Sequence, residues 1–119
     1  MKKILLIDDD PNEHKLFKFY IQKIFGPDCH LQNARTLEDG IAALAQNRFD
    51  ALFLDNRLKP FADFRQTLPE MIDLLENTPT YVISASVDDD CFDDIERYPV
   101  AGVLDKFLVK ARLESGLLG

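Results

Sequence analysis

Four short apolar runs punctuate the chain, at residues 4–7, 51–54, 81–83 and 102–104, with a weaker one at 31–34, each bounded by polar or turn-forming residues. Runs this short and continuous suit strands covered on both faces, as in a parallel sheet. Longer stretches with helical spacing lie between them. Leu16, Phe17, Tyr20, Ile21, Ile24 and Phe25 fall on one broad stripe, with Pro11 in the first turn and Gly26-Pro27 as the stop. Leu37, Ile41, Ala42, Leu44 and Ala45 mark a second helix, with Thr36 as its N-cap and Asp39 in its first turn. Leu68, Met71, Ile72, Leu74 and Leu75 mark a third, closed by Asn77-Thr78-Pro79. Residues 88–97 read as a short acidic fourth helix stopped by Tyr98-Pro99, and residues 107–117 as the fifth. Five repeats of strand then helix predict a three-layer α/β domain with right-handed crossovers, in which chemistry gathers at the carboxyl ends of the strands.

Composition narrows the function. The chain has 119 residues, 46% hydrophobic and 29% charged, enough to bury a core as one domain without disulfides. A formal charge of −7 argues against nucleic acid and anionic membrane as partners, since both reward clusters of Lys and Arg. Cys29 and Cys91 form no CxxC pair and no metal-ligand spacing with His14 and His30, so both are expected to be reduced, packed thiols of a cytoplasmic protein. The opening MKKILLIDDD carries four apolar residues before its aspartates, too few for a signal-peptide core, and no segment has the length of a membrane span. His14 and His30 are expected on a helix face and in a loop, outside the chemistry, because neither stands at a strand end.

The residues leaving the strands carry the candidate chemistry. Strand one exits into Asp8, Asp9 and Asp10, strand three into Asp55, strand four into Ser84 and strand five into Lys106. Carboxylates converging at one rim repel by several kcal/mol per close pair at an effective dielectric of about 20, so a positive charge has to stand among them. A hard divalent cation, typically Mg²⁺, suits oxygen ligands with no His or Cys beside them. Lys106 adds a fixed ammonium, and the Ser84 hydroxyl is placed to donate to a group bound on Asp55. Asp10 reads more simply as a residue at the start of the first helix.

Taken together, KKILLIDDDP, FDALFLDNRL, YVISAS and GVLDKF make the chain resemble the CheY-like receiver domains of bacterial response regulators over essentially its whole length. The resemblance implies a flavodoxin-like (βα)5 fold with a parallel sheet in the order 2-1-3-4-5, as one stand-alone receiver domain over residues 1–119. It implies that Asp55 is the phospho-acceptor, with Mg²⁺ held by Asp8, Asp9, Asp55 and the main-chain carbonyl of Arg57, and with Ser84 and Lys106 on the phosphoryl group. Such a domain catalyses only its own phosphorylation and dephosphorylation. The implied partners are a sensor histidine kinase or histidine phosphotransfer protein, a downstream target protein, and a second copy through the face of helix four, strand five and helix five.

Three departures from the pattern bear on signalling. Phe107 stands where receivers usually have a proline after the lysine, and without proline a cis bond costs roughly 3 kcal/mol. Val103 replaces the strand-five aromatic, so the usual rotamer switch has no ring to turn. The segment RLKPFADFRQTLPEM contains two prolines and two phenylalanines but no glycine, and residues 58–67 are the expected reporter of phosphorylation. Phe61 and Phe64 are expected either to cover the site or to form a partner surface. Arg57 and Ser86 flank the acceptor and Ser84, and the Arg57 guanidinium has phosphate, Asp10 or solvent as its options. The alternative reading is a pseudo-receiver, an interaction module without phosphotransfer. A Mg²⁺-dependent phosphatase is disfavoured, because Arg57 occupies the place of its second aspartate.

Overall fold

A computed structural model describes residues 1–118. Five strands, β1 (Lys2–Ile7), β2 (Cys29–Ala34), β3 (Ala51–Asp55), β4 (Thr80–Ser84) and β5 (Gly102–Asp105), pair in parallel in the order β2-β1-β3-β4-β5. The register sets Ile7 beside Leu54, Asp55 beside Ile83 and Ser84 beside Asp105, so the outgoing residues of four strands share one rim.

Alternation along the buried strands builds two cores. Leu5, Ile7, Leu52, Leu54 and Val82 face one side, where α2 (Leu37–Gln46) and the segment after β3 cover them. Ile4, Leu6, Phe53, Ile83 and Leu104 face the other, against Phe17 and Ile21 of α1 (Pro11–Phe25) and Val109 and Leu113 of α5 (Val109–Glu114). Both ends of α1 follow sequence chemistry. Asp10 accepts from the Asn12 N–H as N-cap, and Gly26 takes φ 62° at the other end, a left-handed region open to glycine without strain. The stripe is narrower than its apolar residues suggest, since Leu16 is exposed while Phe17 and Ile21 are buried. Thr36 caps α2 as expected. In α2, Gly40 lies so close to β1 that a Cβ there would stand 2.4 Å from Ile7 Cδ1.

The remaining helices depart from the periodicity. The third is broken into α3 (Phe64–Thr67), a 3₁₀ turn (Leu68–Glu70) and α4 (Ile72–Leu75). Pro69 sits at the break, where it supplies no N–H to the helical ladder. The acidic fourth helix does not form. Residues 88–97 instead make two 3₁₀ turns, Asp90–Phe92 and Ile95–Arg97. Asp is a poor helix former because its carboxylate competes for nearby main-chain N–H groups, and Asp89 does so here by capping Cys91 N–H at 3.0 Å. The face through which a homodimer was expected therefore lacks its helix four. The fifth helix is a 3₁₀ turn (Lys106–Leu108) followed by α5, shorter than residues 107–117. His30 lies in β2 rather than a loop. No helix among the described residues is long and apolar enough to cross a membrane. Both cysteines are free; Cys91 is buried, Cys29 half-buried, and burial raises both thiol pKa values.

Candidate functional site

At the rim formed by the strand ends lies a cleft of about 690 Å³, lined by Asp8, Asp9, Asp55, Arg57, Ser84 and Lys106 among others. The structure thus brings together every residue that the strand exits point to. Ligand oxygens of Asp8, Asp9 and Asp55 all lie within 4.8 Å of one another, an arrangement compatible with a divalent cation.

Asp8 follows directly on β1, and its carboxylate is fully buried. Asp8 Oδ1 accepts the Asp10 N–H at 2.9 Å. Asp8 Oδ2 is ion-paired with Lys106 Nζ at 3.2 Å, without an aligned hydrogen bond. The all-carboxylate donor set fits a hard cation. Lys106 Nζ also lies 3.1 Å from Asp55 Oδ1, which accepts the Arg57 N–H at 3.3 Å. Lys106 thereby bridges the outgoing residues of β1 and β3.

Burial and the neighbouring Asp8 push the Asp55 carboxyl up to about 6, against the lowering effect of Lys106. Burial raises Asp8 as well, with the Asp10 N–H and Lys106 opposing it. For Lys106, burial disfavours the charge, but Asp55 and Asp8 outweigh it and hold the ammonium above its ordinary range. The site is therefore richer in negative charge than one lysine can balance.

Ser84 lines the cleft and is buried, yet its hydroxyl is engaged locally. It donates to the Ser86 carbonyl at 2.9 Å and accepts the Ser86 N–H at 3.1 Å, so donation into the cleft requires rotation. The Arg57 guanidinium meets Asp89 Oδ2 at 2.7 Å rather than Asp10 or open solvent. This pair ties the segment after β3 to the segment after β4 across the cleft mouth. The Cys91 N–H, together with the pull of Arg57, lowers Asp89 to about 2. The Lys106–Phe107 bond is trans, in keeping with the cost of a cis bond without proline, and the Phe107 ring is 82% exposed. Phe64 neither covers the cleft nor forms a surface: it is fully buried, stacked on Phe92 and edge-on to Tyr98. Phe61 packs partly buried against the same core.

Four residues near the site were not singled out by the strand-end reading. Asn56, next to Asp55, accepts the Phe64 N–H at 3.1 Å and donates to Cys91 Sγ at 3.5 Å. Glu13 is buried, and burial raises its carboxyl despite Lys106. His14 is buried with both ring nitrogens engaged, Nε2 on the Asp8 carbonyl at 2.6 Å and Nδ1 on Asn33 Oδ1 at 2.9 Å. Asp89 is the partner of Arg57. For Glu13 and His14 a signal existed: the buried stripe through Ile21 and Phe17 reaches both when extended one turn toward the N-terminus. Asn56 and Asp89 act through contacts between separate loops, which carry no periodicity.

No protein-family model and no curated protein matches the chain by sequence. Among solved structures it is similar to response regulator protein TrrA from Thermotoga maritima, in complex with Mg²⁺-BeF, at 17% identity and TM-score 0.78 over 100% of both chains. It is also similar to a response regulator receiver domain protein from Clostridium thermocellum, with 17% identity and TM-score 0.82 over 98% of this chain and 91% of that one. A third is the receiver domain of sensor histidine kinase PA1611 from Pseudomonas aeruginosa, solved with a magnesium ion coordinated in its active-site cleft. The identity is 18% and the TM-score 0.81, over 98% and 93% of the two chains. The chain has the CheY-like receiver fold.

Proposed function

We propose that this chain is a single receiver domain over residues 1–119 that accepts a phosphoryl group on Asp55 and signals through protein contacts or onward phosphotransfer. The observation that supports it best is Lys106 Nζ set between Asp8 Oδ2 and Asp55 Oδ1, beside three carboxylates close enough to share one cation. The magnesium held by the similar Pseudomonas receiver supports Mg²⁺ as that cation. Asp8, Asp9 and Asp55 would hold it, with the Arg57 carbonyl, and it would offset negative charge on the phosphoryl oxygens.

In this reading an Asp55 carboxylate oxygen attacks phosphorus of a phosphohistidine, on a sensor kinase or phosphotransfer protein, or of a small acyl phosphate. A new O–P bond forms as the bond to the donor breaks. The attacking carboxylate must be ionised, which Lys106 favours. Once phosphorus is transferred, the same ammonium lies beside the developing equatorial charge, and Ser84, freed from Ser86, donates to a phosphoryl oxygen. Catalysis is thus confined to the domain's own phosphorylation and dephosphorylation.

Incubation with Mg²⁺ and acetyl phosphate followed by intact-mass measurement tests this. One added phosphoryl group on the wild type and none on Asp55→Asn is the expected result. A folded wild type that forms no adduct and binds no Mg²⁺ would instead favour an interaction module without phosphotransfer.

A further inference from the structure

We infer that His14 is a positioning residue for the cation site, holding the main chain of Asp8 so that the carboxylates of Asp8 and Asp9 converge with Asp55. The inference rests on the receiver reading but concerns a residue that takes no part in the phosphoryl chemistry itself.

Three observations combine. His14 is buried in the first turn of α1, on the stripe that continues through Phe17 and Ile21. A ring at this depth would be an ordinary core residue if its nitrogens met solvent or helix backbone. Instead Nε2 lies 2.6 Å from the carbonyl oxygen of Asp8. A carbonyl only accepts, so Nε2 carries the proton and donates. The opposite nitrogen meets the Asn33 side chain at 2.9 Å, at the carboxyl end of β2. An amide can turn either end toward Nδ1, so the ring is oriented whether Nδ1 accepts or donates.

The consequence falls on Asp8. Its N–H donates to Ala34 O in β2 at 3.0 Å, and its carbonyl is taken by His14. Both peptide groups flanking its Cα are therefore fixed, one by the sheet and one by the helix. The side chain is held in turn by the Asp10 N–H on Oδ1, leaving Oδ2 against Lys106 Nζ at 3.2 Å. The carbonyl that His14 grips belongs to the peptide joining Asp8 to Asp9, so the same hydrogen bond sets where the Asp9 carboxylate departs. Mutual repulsion among Asp8, Asp9 and Asp55 would drive an untethered loop outward before a cation arrived, and each ångström of that retreat would be recovered on binding at a cost in affinity. Partners that orient metal ligands from behind affect affinity in this way in general.

The test is a Mg²⁺ titration by calorimetry on wild type, His14→Ala, His14→Gln and Asn33→Ala, with melting temperatures measured in EDTA. A glutamine amide nitrogen reaches about as far as Nε2 and retains the donor. His14→Ala is expected to weaken Mg²⁺ binding by roughly tenfold or more, Asn33→Ala by a few-fold, and His14→Gln by less than Asn33→Ala. Phosphorylation of His14→Ala by acetyl phosphate should fall at low Mg²⁺ and recover at saturating Mg²⁺. A purely structural histidine would lower the melting temperature in EDTA and leave the Mg²⁺ affinity of the folded variant unchanged, and that result overturns the proposal. Should His14→Ala not fold, equal Mg²⁺ affinity in wild type, His14→Gln and Asn33→Ala overturns it as well. A wild type that binds no Mg²⁺ defeats the receiver reading itself, which is a different result from wild-type binding that the variants share.

Discussion

Asp55 occupies an environment that resists its own charge. It is 5% exposed, beside a second buried carboxylate, and its folded pKa is about 6 against an ordinary 3.8. The folded chain therefore holds this proton more tightly than the unfolded one. The associated stability is complete below the unfolded pKa and is lost as pH rises through about 6. Over that window the loss from this group is at most about 3 kcal/mol. Asp8 and Glu13, both raised chiefly by burial, act in the same direction. In EDTA Asp55 should lower the melting temperature of the wild type between about pH 4 and 6, with little further change from this group above about pH 7. Asp55→Asn, neutral throughout, should match the wild type at or below about pH 4 and exceed it at pH 8. Parallel curves for the two proteins would show that Asp55 is not the buried charge described. In the proposed reaction the same proton would compete with chemistry, since only an ionised carboxylate can attack phosphorus.

Two irregular segments, rather than long helices, connect Asp55 to the surface. After β3, Asn56 accepts the Phe64 N–H and touches Cys91; Phe64 stacks on Phe92; and Arg57 grips Asp89, which caps Cys91. The residues next to Asp55 are thus mechanically joined to the first 3₁₀ turn after β4. Strand five offers no comparable lever, because Val103 has no ring to rotate. Adding beryllofluoride with Mg²⁺ should shift backbone resonances in residues 58–67 and 89–92 together. A stationary 58–67 segment would rule out its role as reporter. The Arg57–Asp89 pair is largely solvent-exposed on the arginine side, so Arg57→Ala should change global stability little. It should nonetheless speed amide exchange at Cys91 and Phe92, read by hydrogen-exchange NMR, because Asp89 then caps them without its second anchor.

For the whole molecule, a cation at the carboxylate cluster would act as a folding ligand. An excess of negative charge at one rim of a chain already at −7 destabilises the compact state until something positive binds there. A cation bound only by the folded form adds about 2.7 kcal/mol at a hundredfold excess over its Kd. For a domain of this size that raises the melting temperature by roughly 10 °C. Differential scanning calorimetry with Mg²⁺ against EDTA should show this rise in the wild type. In Lys106→Ala, where Asp8 and Asp55 have lost their ammonium, the EDTA baseline should be lower at pH 8 and the Mg²⁺-induced rise should persist. No rise in the wild type would mean that the carboxylates stay apart in solution.

The order of elements, the two-faced burial of the strands and the carboxylates, serine and lysine at their ends were all legible in the sequence. Each is a local property: a run of apolar residues reports burial, and the residue that ends it reports what the rim receives. Helices α1 and α2 were legible for the same reason, with Asp10 and Thr36 marking their starts. Periodicity misled where local competition decides the outcome, at Pro69 and along residues 88–97, where apolar spacing persisted but Pro and Asp withdrew the helical hydrogen bonds. Only the tertiary structure brought Lys106 within reach of both Asp8 and Asp55, raised the pKa of the acceptor, joined Arg57 to Asp89 and set His14 behind the Asp8 carbonyl. Distances between residues far apart in sequence, and the desolvation that follows from packing them, arise when the elements close on one another, and no single segment of the chain contains them.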